Sequence, residues 1–186
     1  MPPVVILPGL GSSGPEHWQT LWEKRNPAFV RVEQRDWDHP NREEWVAALD
    51  AYISRQTVPP VLVAHSLACA VVAHWAARHD RPVHGALLVS PSDVDSPAHT
   101  PEEVRGFSPM PLRRLPWRSI VVASSDDPFV DPARARLFAE SWGARFVDAG
   151  RHGHINSASG LGDWPPGKRL LEELANDQPP ECLADE

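Results

Sequence analysis

Three side chains could form a proton relay: Ser66, Asp127 and His154. Ser66 sits in Val61-Leu-Val-Ala-His-Ser-Leu-Ala-Cys-Ala, where a continuous apolar run breaks into a helix-like run. Ala64 and Ala68 stand two residues to either side of it. That is the local pattern of a nucleophile elbow, a sharp strand-to-helix turn that lifts one serine hydroxyl over the end of a sheet. A serine hydroxyl attacks only as it loses its proton. A histidine within hydrogen-bond reach takes the proton, and a carboxylate beyond the ring fixes its tautomer and steadies the imidazolium. Asp127 lies in Ser125-Asp-Asp-Pro and His154 in Gly153-His-Ile-Asn, with spacings of 61 and 27 residues along the chain.

Each of these residues has a rival reading. Ser66 also suits a helix N-cap, and an elbow serine occupies that position in any case. Alanine replaces the glycine usual at both small positions of the elbow, which strand and helix can tolerate with slightly more crowding. Asp126 adjoins Asp127, and one of the two could merely cap a helix beginning near Asp131 or Pro132. Asp127 is favoured because Asp-Pro after a strand fixes the loop. His152 competes with His154, which is favoured because Gly153 lets the backbone turn the ring back over the sheet. An acyl-transfer site also needs donors for the oxyanion. The N–H of Leu67, directly after the serine, and that of Leu10, in the loop after the first strand, are the candidates.

The elements that must position these groups read as an alternation. Strands are predicted at Val4–Leu7, Phe29–Glu33, Val61–Ala64, Ala86–Ser90, Ile120–Ala123 and Arg145–Val147. Helices are predicted at Pro15–Lys24, Arg42–Ser54, Leu67–Arg78, Pro132–Trp142 and Gly167–Ala175. Strands this apolar and unalternating want cover on both faces, the signature of a parallel sheet between helix layers joined by right-handed crossovers. Ser66 then follows the third strand, Asp127 the fifth and His154 the sixth. All three belong at the carboxyl edge, where open sheets carry their sites. The fold class is α/β, a six-stranded parallel sheet, and the chain order Ser, Asp, His is that of α/β hydrolases. Pro91–Trp117, rich in Pro, Ser and Asp, leaves the fourth strand as a long loop. It reads equally as a wall of the site or as a solvated excursion.

Composition narrows the class. A length of 186 residues with 41% apolar residues fits one globular domain over residues 1–176, with Asp177–Glu186 as a polar, frayed tail. The N-terminal Met1-Pro-Pro-Val-Val-Ile-Leu-Pro lacks a basic leader and reads as the first strand. Net charge is −7 with scattered basic residues, which disfavours nucleic acid and anionic membranes as partners. Cys69 reads as a buried free thiol and Cys182 falls in the tail, giving no disulfide framework or metal spacing. A reducing cytoplasm, no metal or other cofactor, and a monomer or small homo-oligomer are expected. Eight tryptophans suit core or pocket wall. Trp18, Met110 and Trp117 are candidates to line an acyl pocket, with core packing equally open to the tryptophans. His17 either borders the site or lies exposed on its helix.

A competing motif occupies the first loop. Gly9-Leu-Gly11-Ser-Ser-Gly14 is a literal G-x-G-x-x-G after a strand, and Glu33 stands 19 residues past Gly14, about where a ribose-binding acid would be. Pro15 counts against it, since it removes a backbone N–H near the position of the pyrophosphate. A dinucleotide site also leaves the residues at three later strand ends without a role.

Taken together the motifs resemble the small single-domain serine hydrolases of the YdeN and retinoblastoma-binding protein nine family. The resemblance spans nearly the whole chain. It rests on Pro8-Gly9 with His17-Trp18, His65-Ser66-Leu67-Ala68, Asp126-Asp127-Pro128-Phe129, Gly153-His154-Ile155-Asn156, and Ser159-Gly-Leu-Gly-Asp-Trp-Pro. It implies a compact α/β hydrolase without the first two strands and separate lid of larger relatives, with Ser66, Asp127 and His154 as the catalytic set. Binding of a pocket protein through Leu-x-Cys-x-Glu does not transfer, because Leu67-Ala-Cys69-Ala is followed by Val71. The expected activity is hydrolysis of a small carboxylic ester, less favourably an amide or short peptide. A non-catalytic interaction protein on the same fold is the alternative.

Overall fold

The computed structural model describes residues 1–176, and the expected tail at Asp177–Glu186, with Cys182, lies outside them. Six strands form one sheet in the order β2-β1-β3-β4-β5-β6. They are β1 (Val4–Leu7), β2 (Val30–Arg31), β3 (Val61–His65), β4 (Gly85–Val89), β5 (Ser119–Ala123) and β6 (Arg145–Asp148). Every neighbouring pair is parallel. Helices α1 (Trp18–Arg25), α2 (Arg42–Ile53), α3 (Leu67–Arg78), α4 (Pro132–Trp142) and α5 (Pro165–Asn176) make the connections and the closing segment.

Alternate residues of the apolar strands feed two separate cores, the reason such strands show no polar alternation. On one face Val5, Leu62, Leu88 and Val121 pack with Trp45 and Leu49 of α2, Val72 and Trp75 of α3, and Phe138 and Trp142 of α4. On the other, Ile6, Val63, Leu87 and Val122 meet Trp18 and Trp22 of α1, Trp164, and Leu171 and Leu174 of α5. The indoles pay little for burial because their N–H groups find carbonyls: Trp18 donates to Ile155 O at 2.8 Å and Trp22 to Asp163 O at 2.7 Å. Trp18 thereby ties the first helix to the segment carrying His154.

Most predicted elements shift by one or two residues at an end, and two of the differences have a clear physical cause. Helix α1 begins at Trp18 and not Pro15, because His17 is extended (ψ 139°) and its Nδ1 accepts the N–H of Gln19 as an N-cap. Strand β2 shrinks to Val30–Arg31, an edge strand paired only with β1, leaving Glu33 exposed beyond its end. The stretch from Pro91 to Trp117 is no solvated excursion. It buries Val94, Val104, Phe107, Met110 and Leu115, and contains a 3-10 helix at Glu102–Phe107. Arg134 on α4 pins it through Asp93 and Asp95. Cys69 is buried and free, its thiol pushed upward by burial. No described helix is long and apolar enough to cross a membrane.

Candidate active site

Ser66 is the hinge between β3 and α3, and its backbone has φ 59° and ψ −123°. A non-glycine residue there is strained, and only firmly held surroundings keep it so. The carbonyl of Ser66 accepts the N–H of Cys69 as the helix starts, yet its side chain makes no capping bond. The hydroxyl turns away from the helix and lies 2.8 Å from His154 Nε2. On the far side of the ring, Nδ1 lies 2.9 and 3.0 Å from the two oxygens of Asp127. Both partners are sheltered, with side-chain exposures of 10% for His154 and 0% for Asp127.

Adjacent rivals have different work. Asp126 accepts from Ser124 Oγ at 2.7 Å and from the N–H of Gly153 at 2.8 Å, bonds that hold its carboxyl below the usual range. Ser124 Oγ also accepts the N–H of His152, whose ring is exposed. Asp126 and Ser124 thus shape the turn after β6, where Gly153 at φ 57° swings the next residue inward. Asp127 in turn accepts the N–H of Phe129 at 2.9 Å, which fixes its carboxylate toward the ring.

Histidines sequence reasoning overlooked or misplaced complete the support. His65 donates from Nε2 to the backbone oxygen of His154 at 2.8 Å, joining the elbow to the histidine loop. His17 is buried and not exposed; it packs edge-on against His65 with ring centres 4.7 Å apart. Burial, with help from His154 and Arg31, pushes the pKa of His17 down to about 3. Burial likewise holds His65 well below the ordinary histidine value. Both stay neutral near pH 7, so His154 has uncharged neighbours when it takes up a proton. His65 was legible as the residue before the serine, and Phe129, whose ring lies 4.5 Å from that of His154, as part of Asp-Asp-Pro-Phe.

Two cavities open on Ser66. One, of about 190 Å³, is mostly apolar, walled by Leu10, Leu67, Pro101, Val104 and Phe129. The other, about 290 Å³, is more polar and runs past Ser12, His17, Asn156 and Ser157. Trp18, Met110 and Trp117 wall neither. Trp18 is spent in the core beneath the sheet, and Met110 is buried with its N–H donated to Asp95. Trp117 just precedes β5 and so lies at the amino edge, away from the site. His17 does border the second cavity.

The first loop is built for contact, not for a dinucleotide. A Cβ on Gly9 would lie 3.0 Å from Ser66 Cβ and 3.2 Å from Leu67 N, so glycine lets this loop sit on the elbow. Gln19 clamps it by donating to the carbonyls of Leu7 and Val63 and accepting from Ser13. Helix α1 starts only at Trp18, beyond Pro15, and its first free amide is already taken by His17. No helix N-terminus directly follows the glycines to hold a pyrophosphate. Among the described residues no cluster of three or more His, Cys, Asp or Glu could hold a metal ion.

A parallel sheet covered on both faces, with a strained serine at the end of β3 facing a histidine and an aspartate from later strand ends, defines an α/β hydrolase. The chain belongs to the serine hydrolase family, whose match covers residues 4–173. Its structure is similar to that of a YdeN-like protein from Pectobacterium atrosepticum: 32% identity, 92% of this chain and 89% of that one covered, TM-score 0.82. The ydeN gene product of B. subtilis matches at 20% identity over 95% of this chain and all (100%) of that one, TM-score 0.78. A monoacylglycerol lipase from Paleococcus ferrophilus shares the fold at 18% identity, covering 94% and 95% of the chains, TM-score 0.66. No curated protein matches the chain significantly.

Proposed function

We propose that this hydrolase cleaves small carboxylic esters through an acyl-enzyme on Ser66. The observation that carries the reading is the continuous line Ser66 Oγ, His154 Nε2, His154 Nδ1, Asp127 carboxylate, with every contact between 2.8 and 3.0 Å. Oγ attacks the ester carbonyl carbon while Nε2 takes its proton. Asp127, already accepting from Nδ1, steadies the imidazolium that forms. The carbonyl oxygen becomes an oxyanion bonded by the N–H groups of Leu67 and Leu10. Leu67 supports this role as the first residue of α3, where helix amides lack intrahelical partners. The tetrahedral intermediate collapses as Nε2–H protonates the departing alkoxide, and the alcohol leaves. Water then repeats the sequence on the acyl-enzyme, releasing the acid and restoring the Ser66 hydroxyl.

The apolar cavity suits the acyl chain and the more polar one the alcohol, since both open on the same oxygen. At about 190 Å³ the acyl side is smaller than the roughly 300–1,000 Å³ of drug-sized ligand sites, which favours short chains. A free buried thiol at Cys69 suits a reducing cytoplasm. A fluorophosphonate probe should label wild type and not Ser66→Ala. On p-nitrophenyl esters of graded length, turnover should peak at short acyl chains and fall by roughly a millionfold in Ser66→Ala. Equal labelling of the two proteins, or hydrolysis that survives the substitution, would make this chain a non-catalytic relative or move its chemistry elsewhere.

A further inference from the structure

The nucleophile oxygen has a second hydroxyl beside it. Ser92 Oγ lies 2.7 Å from Ser66 Oγ, on a side chain that sequence analysis singled out for nothing. Sheet topology puts it there. Strand β4 runs alongside β3 with Val89 in register with His65, and the N–H of Ser66 donates to Val89 O at 2.9 Å. Beyond β4 the chain turns at Ser90, which has φ 49°, and brings Ser92 over the elbow. Asp93 then locks the position: its N–H donates to Phe129 O at 3.0 Å and its carboxylate accepts from Arg134. Ser92 is 5% exposed, so its hydroxyl is aimed and sheltered.

Proton counting gives the direction of the bond. The Asp127 carboxylate has no hydrogen to offer, so His154 Nδ1 carries one and donates it. In the neutral ring Nε2 is then a bare acceptor, and it receives the single hydroxyl proton of Ser66. The contact between the two serines therefore uses the proton of Ser92. Ser92 donates, and Ser66 Oγ accepts.

We propose that Ser92 is a further catalytic residue, whose hydroxyl stabilises the Ser66 oxygen as that oxygen departs from the acyl group. The proposal rests on the acyl-enzyme reading above. While Ser66 is acylated, its Oγ is an ester oxygen whose lone pair is drawn into the carbonyl, a poor acceptor. In deacylation, water adds to the acyl carbon and gives its proton to Nε2. The C–Oγ bond then breaks, the bonding electrons go to Oγ, and Nε2–H returns the proton to it. The hydrogen bond from Ser92 strengthens along that last step as charge gathers on Oγ. In acylation the same bond must weaken as Oγ gives up electron density. Ser92 therefore favours regeneration of free enzyme and leaves no lasting advantage to the acyl form.

The test is the lifetime of the acyl-enzyme formed from p-nitrophenyl acetate, followed by quenched intact-mass spectrometry alongside steady-state kinetics. Ser92→Ala should lengthen that lifetime about fivefold, the factor for one net hydrogen bond of roughly 1 kcal/mol. With breakdown slower and acylation no longer opposed by that bond, kcat and KM should fall together while kcat/KM holds at or rises above the wild-type value. Ser92→Thr, which keeps the donor, should restore the lifetime, and thermal melts show that both variants fold. An unchanged lifetime overturns the proposal. So does a fall in kcat/KM at wild-type lifetime, which would make Ser92 a holder of the Ser66 rotamer only. A wild type on which neither p-nitrophenyl acetate nor the fluorophosphonate probe leaves an added mass overturns the acyl-enzyme reading itself, and this proposal with it.

Discussion

Substituting alanine at Gly9 probes how the first loop meets the elbow. The added Cβ would lie 2.9 Å from His65 O, 3.0 Å from Ser66 Cβ and 3.2 Å from Leu67 N. None of these atoms is the end of a flexible side chain, so the loop has to retreat. Overpacking of this kind costs about 1–3 kcal/mol of stability. Retreat also carries Leu10, the next residue, away from Leu67, so that under the proposed mechanism their two amides would no longer converge on one oxyanion. Losing one such donor costs about a hundred- to a thousandfold in kcat, or roughly 2.7–4 kcal/mol. The two effects are read separately, stability by thermal melts and turnover with p-nitrophenyl acetate. Gly14→Ala is the control, because its nearest contact is Ser157 Oγ at 4.0 Å on an exposed part of the same loop. It should leave kcat within about twofold, as surface changes usually do. A dinucleotide-type loop would need Gly14 as well as Gly9. A folded Gly9→Ala with full kcat would refute the assignment of an oxyanion donor to Leu10.

Further expectations follow from neighbouring geometry. Asp127→Asn should lower kcat by about ten-thousandfold through the wrong histidine tautomer, whereas Asp126→Asn, which alters the contacts to Ser124 and Gly153 and none to the ring of His154, should cost far less; parallel kinetics of the two decide it. His17 and His65 have folded pKa values depressed by burial, so the unfolded chain binds more protons below pH 6.5. Stability should therefore be full above about pH 6.5 and fall as pH drops toward 3 by about 1 kcal/mol per unit for His17, with His65 adding to the fall in the same direction. His17→Asn keeps a capping acceptor and removes one titration, so melts between pH 4 and 7 should show a shallower slope (roughly one histidine less). In Gly167→Ala the new Cβ would collide with the six-membered ring of Trp164, itself stacked in the α1–α5 core, and should destabilise the fold by about 2–4 kcal/mol by denaturant titration.

Much of the frame was legible because it depends on local pattern. Helices α3 and α4 begin and end where periodicity, the Asp131 cap and Pro132 put them, and Gly143 at φ 68° stops α4 as a C-terminal glycine should. Helix α1 was placed three residues early, since nothing in His17 advertises a capping ring. Strand β2 was drawn too long, since an edge strand paired on one side need not continue as far as its apolar residues do. The pocket wall was missed for a different reason. Tryptophan is equally suited to core and cleft, and the choice depends on which end of a strand it neighbours. Trp117 sits at the amino edge and Trp18 beneath the sheet, while the small or short residues Pro101, Val104 and Leu67 face the nucleophile.

Residue order along the chain was enough to specify the class of chemistry, because a serine at a strand-to-helix break and an acid and a base after later strands can converge only at the carboxyl edge of a parallel sheet. Which acid and which imidazole meet that serine was decided by three-dimensional bonding: Ser124 and Gly153 occupy Asp126, leaving Asp127 against the ring of His154. Ser92 could be found only in space. It reaches Ser66 across two hydrogen-bonded strands, and no spacing along a chain records which strands lie side by side.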